Sequence, residues 1–362
     1  MNDDLLERYA DLLVGYCTRV EDGDKVMLNV STGALPLARL LVRAVLRAGG
    51  EPFLRLSYPE MTADLVELAG PALLASEATT QLAEMKSMDA YIRVLANENS
   101  HSLAGIDQQR MTTVERRLSG VQRWRTEHTR WVGSLFPTGA SAQLAGLSTD
   151  DYARFVYGAM FLYDLDPAAK WRELGAMQQR LVERLAPASE VHIEGPGTDL
   201  RLSVAQRTWL NSDGRRNMPS GEVYTGPLED SANGHITFAI PSNVRGSSVQ
   251  GVRLRFEAGA VVEATAERGQ HLLDAQLATD AGARRLGELG IGTNPNIDRP
   301  TGSTLFDEKI LGTVHLALGR SYVESGGLNL SDIHWDLICD LRQEGSVTVD
   351  GEPLLEGGRL IY

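Results

Sequence analysis

Towards the C-terminal end of the chain, apolar and polar positions alternate with a period of two. Ile333, Trp335, Leu337, Cys339 and Leu341 fall on one side, and His334, Asp336, Ile338 and Asp340 on the other. Successive side chains of a strand point to opposite faces, so this pattern predicts a strand whose back packs into a core and whose front lines a polar cavity. His334 and Asp336 then stand side by side on the front. Residues 310–318 (ILGTVHLAL) read the same way, with Ile310, Val314, Leu316 and Leu318 on one face apart from Gly312, and Thr313, His315 and Ala317 on the other. Small neighbours leave room around that imidazole.

Earlier in the chain the pattern alternates between strand and helix periods. Residues 25–30 read as a strand, 35–48 as an amphipathic helix ended by Gly49-Gly50, 52–56 as the next strand and 62–68 as a further helix. Strands at 90–95 and 131–136, with helical patterns between and after them, predict a largely parallel sheet covered on both faces. Residues 150–185 read as helical, interrupted near Asp164-Leu165-Asp166-Pro167. Past Ala186-Pro187 the texture turns to short strands at 190–194, 200–204, 235–241, 252–257 and 260–266, interrupted by a helix over 269–286. The expectation is an α/β N-terminal domain, 1–187, followed by an α+β domain rich in antiparallel strands, 188–362. No internal repeat is visible.

Bulk composition narrows the partners. A formal net charge of -13 is at odds with a phosphate-binding face, so nucleic acid is not expected, whereas cations are. No apolar run reaches membrane-spanning length, and the Met1-Asn2-Asp3-Asp4 start is acidic where a secretory leader is basic and then apolar. The expected compartment is the cytoplasm. Cys17 and Cys339 lie far apart in the sequence, and Cys339 sits on the apolar face described above, so two buried thiols are expected rather than a disulfide.

Five positions of the second domain carry groups that bind divalent ions: Glu222, Glu288, His315, His334 and Asp336. Glu222 lies in the Gly/Pro-bounded segment Gly221-Glu222-Val223-Tyr224-Thr225-Gly226-Pro227, and Glu288 precedes the glycine-rich Gly290-Ile291-Gly292. Taken singly, a Glu beside a glycine turn reads more readily as a solvated loop charge, and a His on a strand as a hydrogen-bonded core residue, than as a ligand. Taken together, three carboxylates and two imidazoles exceed the needs of one zinc ion that keeps a position open for water. They suit two ions sharing a carboxylate, because two dications against three carboxylates and a hydroxide sum to about zero charge. Nitrogen and oxygen donors without thiolate fit zinc, cobalt or manganese.

Four ordered segments then resemble the metal-binding motifs of the aminopeptidase T and aminopeptidase S family of metallo-aminopeptidases, first typified by thermophile enzymes. They are Gly221 to Pro227, Gly287-Glu288-Leu289-Gly290-Ile291-Gly292-Thr293-Asn294, the stretch Asp307-Glu308-Lys309-Ile310 running through His315 to Gly319, and Ser331-Asp332-Ile333-His334-Trp335-Asp336. The resemblance covers most of the chain. It implies a two-domain homodimer with a dinuclear metal site in the second domain, acting on peptide substrates with a free N-terminus. By match of motif, Glu222, Glu288, His315, His334 and Asp336 take the ligand roles, Glu288 is the bridge, and Tyr322 matches the family's catalytic tyrosine. Glu288, or alternatively Glu308, is the candidate proton acceptor. The segment between His315 and His334 is shorter than in many members, and Tyr224-Thr225-Gly226-Pro227 replaces the usual phenylalanine-containing version.

Two rival readings are weaker. A peptide-binding relative that keeps the metal site and has lost catalysis would not need Tyr322, which is present. A nucleotide site at Ser31-Thr32-Gly33-Ala34 lacks both the dinucleotide fingerprint and the P-loop lysine pattern, so an ordinary strand-to-helix connection is expected there. His101 and His128 read as surface residues, and Trp124-Arg125 with Arg130-Trp131 as packed arginine-aromatic pairs.

Overall fold

Strand and helix alternate through the first 135 residues, and that order produces a parallel sheet because each connection must cross back over it. The structure, a computed structural model, describes residues 3–58, 60–103, 105–244 and 247–361. Contacts group the chain into two units, Met1–Lys170 with Gly214–Pro219, and Trp171–Asp213 with Ser220–Tyr362.

In the first unit Glu51–Ser57, Lys25–Ser31, Ala90–Leu95, Arg130–Leu135 and the two-residue Asn217–Met218 lie in that order, all parallel. Helix Leu35–Arg47 buries Leu37, Leu41 and Val45. It ends before Gly49, whose φ of +84° needs glycine and whose added Cβ would strike Asp22. Met27, Phe53, Tyr91 and Trp131 pack with Val121 and Trp124 of helix Gln108–His128. The Arg125 guanidinium sits 4.7 Å over the Trp131 ring, as a packed pair. Ser31 leads into a short 3-10 turn, Thr32–Ala34, and the helix. One element lies outside the sequence expectation although its apolar positions recur at helical spacing: helix Asp3–Asp11, which runs on into a π-helical turn, Leu12–Cys17, and buries Leu6, Tyr9, Ala10 and Leu13.

Among its described residues the second unit has two large antiparallel sheets sharing one core, besides a two-stranded ribbon of Ser242–Val244 and Ser247–Val249. The larger has eight strands, and its Val191, Ile193, Leu200, Leu202, Ile236, Phe238, Leu254 and Phe256 belong to the same apolar cluster as Val223, Leu289, Ile291, Val314, Leu316, Leu318, Trp335 and Leu337 of the smaller. Each such side chain, fully buried, contributes about 1.5–3 kcal/mol. The smaller sheet has the order His334–Asp340, Thr313–Gly319, Leu286–Gly292, Glu222–Thr225, Leu210–Ser212. Helix Pro167–Leu185 ends where the antiparallel texture begins, after a break that separates it from helix Thr149–Ala159. Cys17 and Cys339 are both buried free thiols. Among the described residues no helix is long and apolar enough to cross a membrane.

Several expected elements shift at an end by one to three residues and one helix is much shorter, and two of the differences have a clear local cause. The helix expected over 269–286 is Gln270–Leu277 only. Beyond it Asp280 accepts from the Ala283 amide, and a Cβ on Gly282 would lie 2.0 Å from the Leu330 carbonyl oxygen, so the chain must turn there. It then enters the strand Leu286–Gly292, whose three glycines hide it from any propensity argument. The strand expected from Ile310 starts at Thr313, because Gly312 turns with φ +87° against Gly358.

Candidate metal centre

Register across the smaller sheet decides which side chains share its front face. Glu222 pairs with Gly292, Tyr224 with Gly290, Gly290 with His315, Glu288 with Ala317, Ala317 with Asp336, and Gly319 with His334. Glycine or alanine therefore alternates with every candidate ligand along the sheet, and the front is hollowed where the charged groups converge. Gly290 shows how little space is spare: an added Cβ would lie 2.1 Å from the Nε2 and Cε1 atoms of His315. Only glycine permits that ring position.

The structure brings all five predicted residues together. His315 Nε2 is 3.3 Å from Glu222 Oε2 and 3.2 Å from Glu288 Oε1. His334 Nε2 is 3.5 Å from Glu288 Oε2 and 3.5 Å from Asp336 Oδ1. Glu288 thus turns one oxygen to each imidazole. Two donors held about 2.0–2.1 Å from a tetrahedral ion are about 3.3 Å apart, so each separation has the length of a coordination edge. Glu222, Glu288 and His315 offer donor atoms all within 4.8 Å of one another, and so do Glu308, His315 and Asp336.

Buried polar atoms in the cluster are left without hydrogen bonds: Glu222 Oε2, Glu288 Oε2, Asp336 Oδ1 and His315 Nδ1. Orphaned groups of this kind cost about 1–3 kcal/mol each. The three orphaned carboxylate oxygens face the Nε2 atoms of His315 and His334, an arrangement explained by cations between them, and the donor chemistry fits divalent ions. His334 is oriented for that task. Its Nδ1 lies 2.7 Å from the Arg320 carbonyl oxygen, which can only accept, so the neutral ring presents a free Nε2 lone pair. Glu222 is held from behind by the buried Gln178, whose amide donates to the Glu222 carbonyl at 2.8 Å and to Thr293 Oγ1 at 3.1 Å.

Charge in this enclosure is strained. Desolvation raises the carboxyls of Glu222, Glu288 and Glu308. Desolvation alone would lower the His315 imidazole, but Glu288, Glu222 and Glu308 outweigh it and push it up to about 9. His334 is lifted to about 10 in the same way by Asp336 and Glu288, while His334 more than offsets burial of Asp336 and holds that carboxyl down to about 2. Ions entering the cluster must displace protons from both rings.

Tyr322 stands at the edge of the cluster, 41% exposed, its ring 5.0 Å from that of His334 and 5.8 Å from that of Tyr224. Desolvation, then the Glu288, Asp336 and Glu308 carboxylates, push its hydroxyl up, so it stays a donor. Two participants go beyond the sequence expectation. Glu308 enters that expectation only as a proton acceptor. Lys309 stands in it only as one letter of a motif, with no role, yet it is wholly buried with Nζ 3.3 Å from Glu222 Oε1 and in contact with Glu308. Adjacent charges after Asp307 look like a solvated turn, and nothing local marks them otherwise.

The model of the family described as thermophilic metalloprotease (M29) matches residues 2–359. Aminopeptidase T of Thermus aquaticus is 29% identical over 397 residues, covering 98% of this chain and 95% of that protein. The solved structure of wild-type AmpT from Thermus thermophilus superposes with a TM-score of 0.85 at 25% identity, over 99% of each chain. A 2,5-dihydroxypyridine dioxygenase from Pseudomonas putida shares the fold, with a TM-score of 0.60 at 16% identity over 100% of this chain and 98% of its own.

Proposed function

Because the chain belongs to the thermophilic metalloprotease (M29) family, we propose that it is a metal-dependent aminopeptidase that holds two divalent ions and hydrolyses the N-terminal bond of peptides. A fold shared with a dioxygenase does not select the reaction, so the assignment rests on the site. The observation that carries it is Glu288, whose two oxygens face different imidazoles, the arrangement a bridging carboxylate requires. One ion would be held by Glu222, Glu288 and His315, the other by Glu288, His334 and Asp336. Zinc, cobalt and manganese all suit these donors. When bound, such ions lower the pKa of a shared water towards neutrality and polarise the scissile carbonyl.

The chain's own groups do the rest. Tyr322, kept protonated, donates to the oxygen on which negative charge develops. A cluster carboxylate takes the proton of the attacking water and returns it to the leaving amine. Glu288 fills that role only if one of its oxygens is released by an ion during the reaction, and Glu308, which is not among the proposed ligands, is its alternative. The two are told apart by activity measured together with ion content: Glu308→Gln should keep both ions yet lose hydrolysis if Glu308 is the base, and keep both ions and hydrolysis if it is not. The acidic surroundings favour a substrate whose α-amine is cationic.

The test is hydrolysis of amino-acid anilides after chelation and after re-addition of zinc, cobalt or manganese, with His334→Ala alongside. Activity should vanish on chelation, return with metal, and never return in the variant. Full activity in the chelated protein would refute the proposal.

A further inference from the structure

Lys309 is 0% exposed, and a lysine is almost never fully buried unless it is paired. Its backbone is fixed on both sides: its N–H donates to the Phe306 carbonyl, and its carbonyl accepts from the Asn294 amide at 3.0 Å. The ammonium is thereby placed between Glu222 and Glu308, next to the proposed ion ligands rather than among them. Glu222 is split as a result. Oε1 faces Lys309 at 3.3 Å, and Oε2 faces His315 at 3.3 Å.

Charge balance gives this placement a purpose. Glu222, Glu288, Glu308 and Asp336 with one hydroxide carry five negative charges, and two dications supply only four positive ones. An enclosed site does not tolerate the remainder. We propose that Lys309 is a built-in cation of the site, which balances the charge that two ions leave over and, by occupying one oxygen of Glu222, reserves the other for an ion. Lys309 is therefore a positioning residue. The inference rests on the two-ion reading above, and it gives the four carboxylates one fixed counter-charge before any ion arrives.

The experiment compares thermal midpoints of the full chain, metal-free and saturated with zinc, for the unaltered protein, Lys309→Met and the double variant Glu308→Gln/Lys309→Met. Without zinc, Lys309→Met should lower the midpoint by roughly 5–10 °C, because a broken buried pair leaves an uncompensated charge. With zinc the loss should be smaller, so the zinc-dependent shift grows. The double variant restores the original net charge and should recover most of the loss. Equal losses with and without zinc, unrepaired in the double variant, would mean that Lys309 serves packing alone, and the proposal fails. If Lys309→Met does not fold, the double variant decides: it should fold and bind two zinc ions per chain, and its failure to fold also overturns the proposal. Absence of any zinc-dependent shift in the unaltered chain would instead sink the two-ion reading.

Discussion

The two faces of the smaller sheet are made by the same strands and are buried alike, yet they are stabilised by opposite means. On the back, Val223, Leu289, Ile291, Val314, Leu316 and Leu337 close against the larger sheet in a dry core. On the front, Glu222, Glu288, His315 and Asp336 are just as inaccessible but leave polar atoms without hydrogen bonds. Burial therefore does not identify a functional residue in this protein. Nor does an unsatisfied buried atom by itself, since Trp209 Nε1 and Arg207 Nε lack partners too; what marks the front is that its unsatisfied carboxylate oxygens converge on two imidazoles. The front is an arrangement that folding tolerates and ion binding completes.

Glu288 and Leu289 are neighbours on opposite faces, so a pair of substitutions separates the two kinds of stabilisation. Glu288→Gln removes the carboxylate proposed to be shared by the two ions. Ion content should drop, and anilide hydrolysis should fall by roughly a thousandfold, about 4 kcal/mol of transition-state stabilisation. The metal-free protein should keep its thermal midpoint or gain slightly, since one charge leaves a crowded enclosure. Leu289→Ala should do the reverse. Leu289 is 1% exposed, and truncation should cost about 3 kcal/mol in denaturant unfolding while zinc affinity changes little. If both variants lose stability and affinity in proportion, the faces are not independent and the comparison fails.

The same contrast explains which parts of the molecule are legible in the sequence. The strands carrying His315 and His334 have an apolar back and a mixed front, so their period of two survives in the sequence and places both imidazoles correctly. The parallel sheet is legible for a similar local reason, since each strand is followed by a helix with its own apolar stripe. Leu286–Gly292 is buried on both faces and built around three glycines, so in the sequence Glu288 resembles a loop charge beside a turn. Those glycines are there because the His315 ring and the Ile310 and Gly319 backbones come too close for a side chain, a fact of tertiary packing. Lys309 is the extreme case, for its burial depends on Phe306, Asn294 and Glu222, contacts that no spacing along the chain announces.

Tyr322 tests whether the edge of the front belongs with its centre. Its ring touches His334 and Tyr224 but it is not among the proposed ligands. Tyr322→Phe keeps the ring and removes only the hydroxyl. The expected result is a fall in kcat of about a hundredfold, near 2.7 kcal/mol, with KM and ion content unchanged. A matching loss of zinc would make Tyr322 part of the ion site instead, and unaltered kcat would remove it from the mechanism.

The smallest expected effect lies in the loops that deliver these strands. Asp280 Oδ2 accepts from the Asp332 amide at 2.7 Å and from Ser331 Oγ at 2.9 Å, and Oδ1 accepts from the Ala283 amide at 2.9 Å. It ties the turn before the Glu288 strand to the loop before His334. Burial alone would raise this carboxyl, but the donors outweigh it and hold it below the ordinary carboxylate value. A depressed pKa means that the folded state prefers the ionised form. Its stabilisation is complete above the unfolded value near pH 3.9 and is lost as pH falls through the lower folded value. Asp280→Asn should therefore cost roughly 1 kcal/mol at pH 6, small because solvent screens the group. The gap to the unaltered protein should close as pH drops below about 4. Zinc affinity at pH 7 should stay within about threefold, because the ligands themselves sit on strands that the back-face core holds in place. A much larger loss of zinc would show that the front depends on its loops as much as on its sheet.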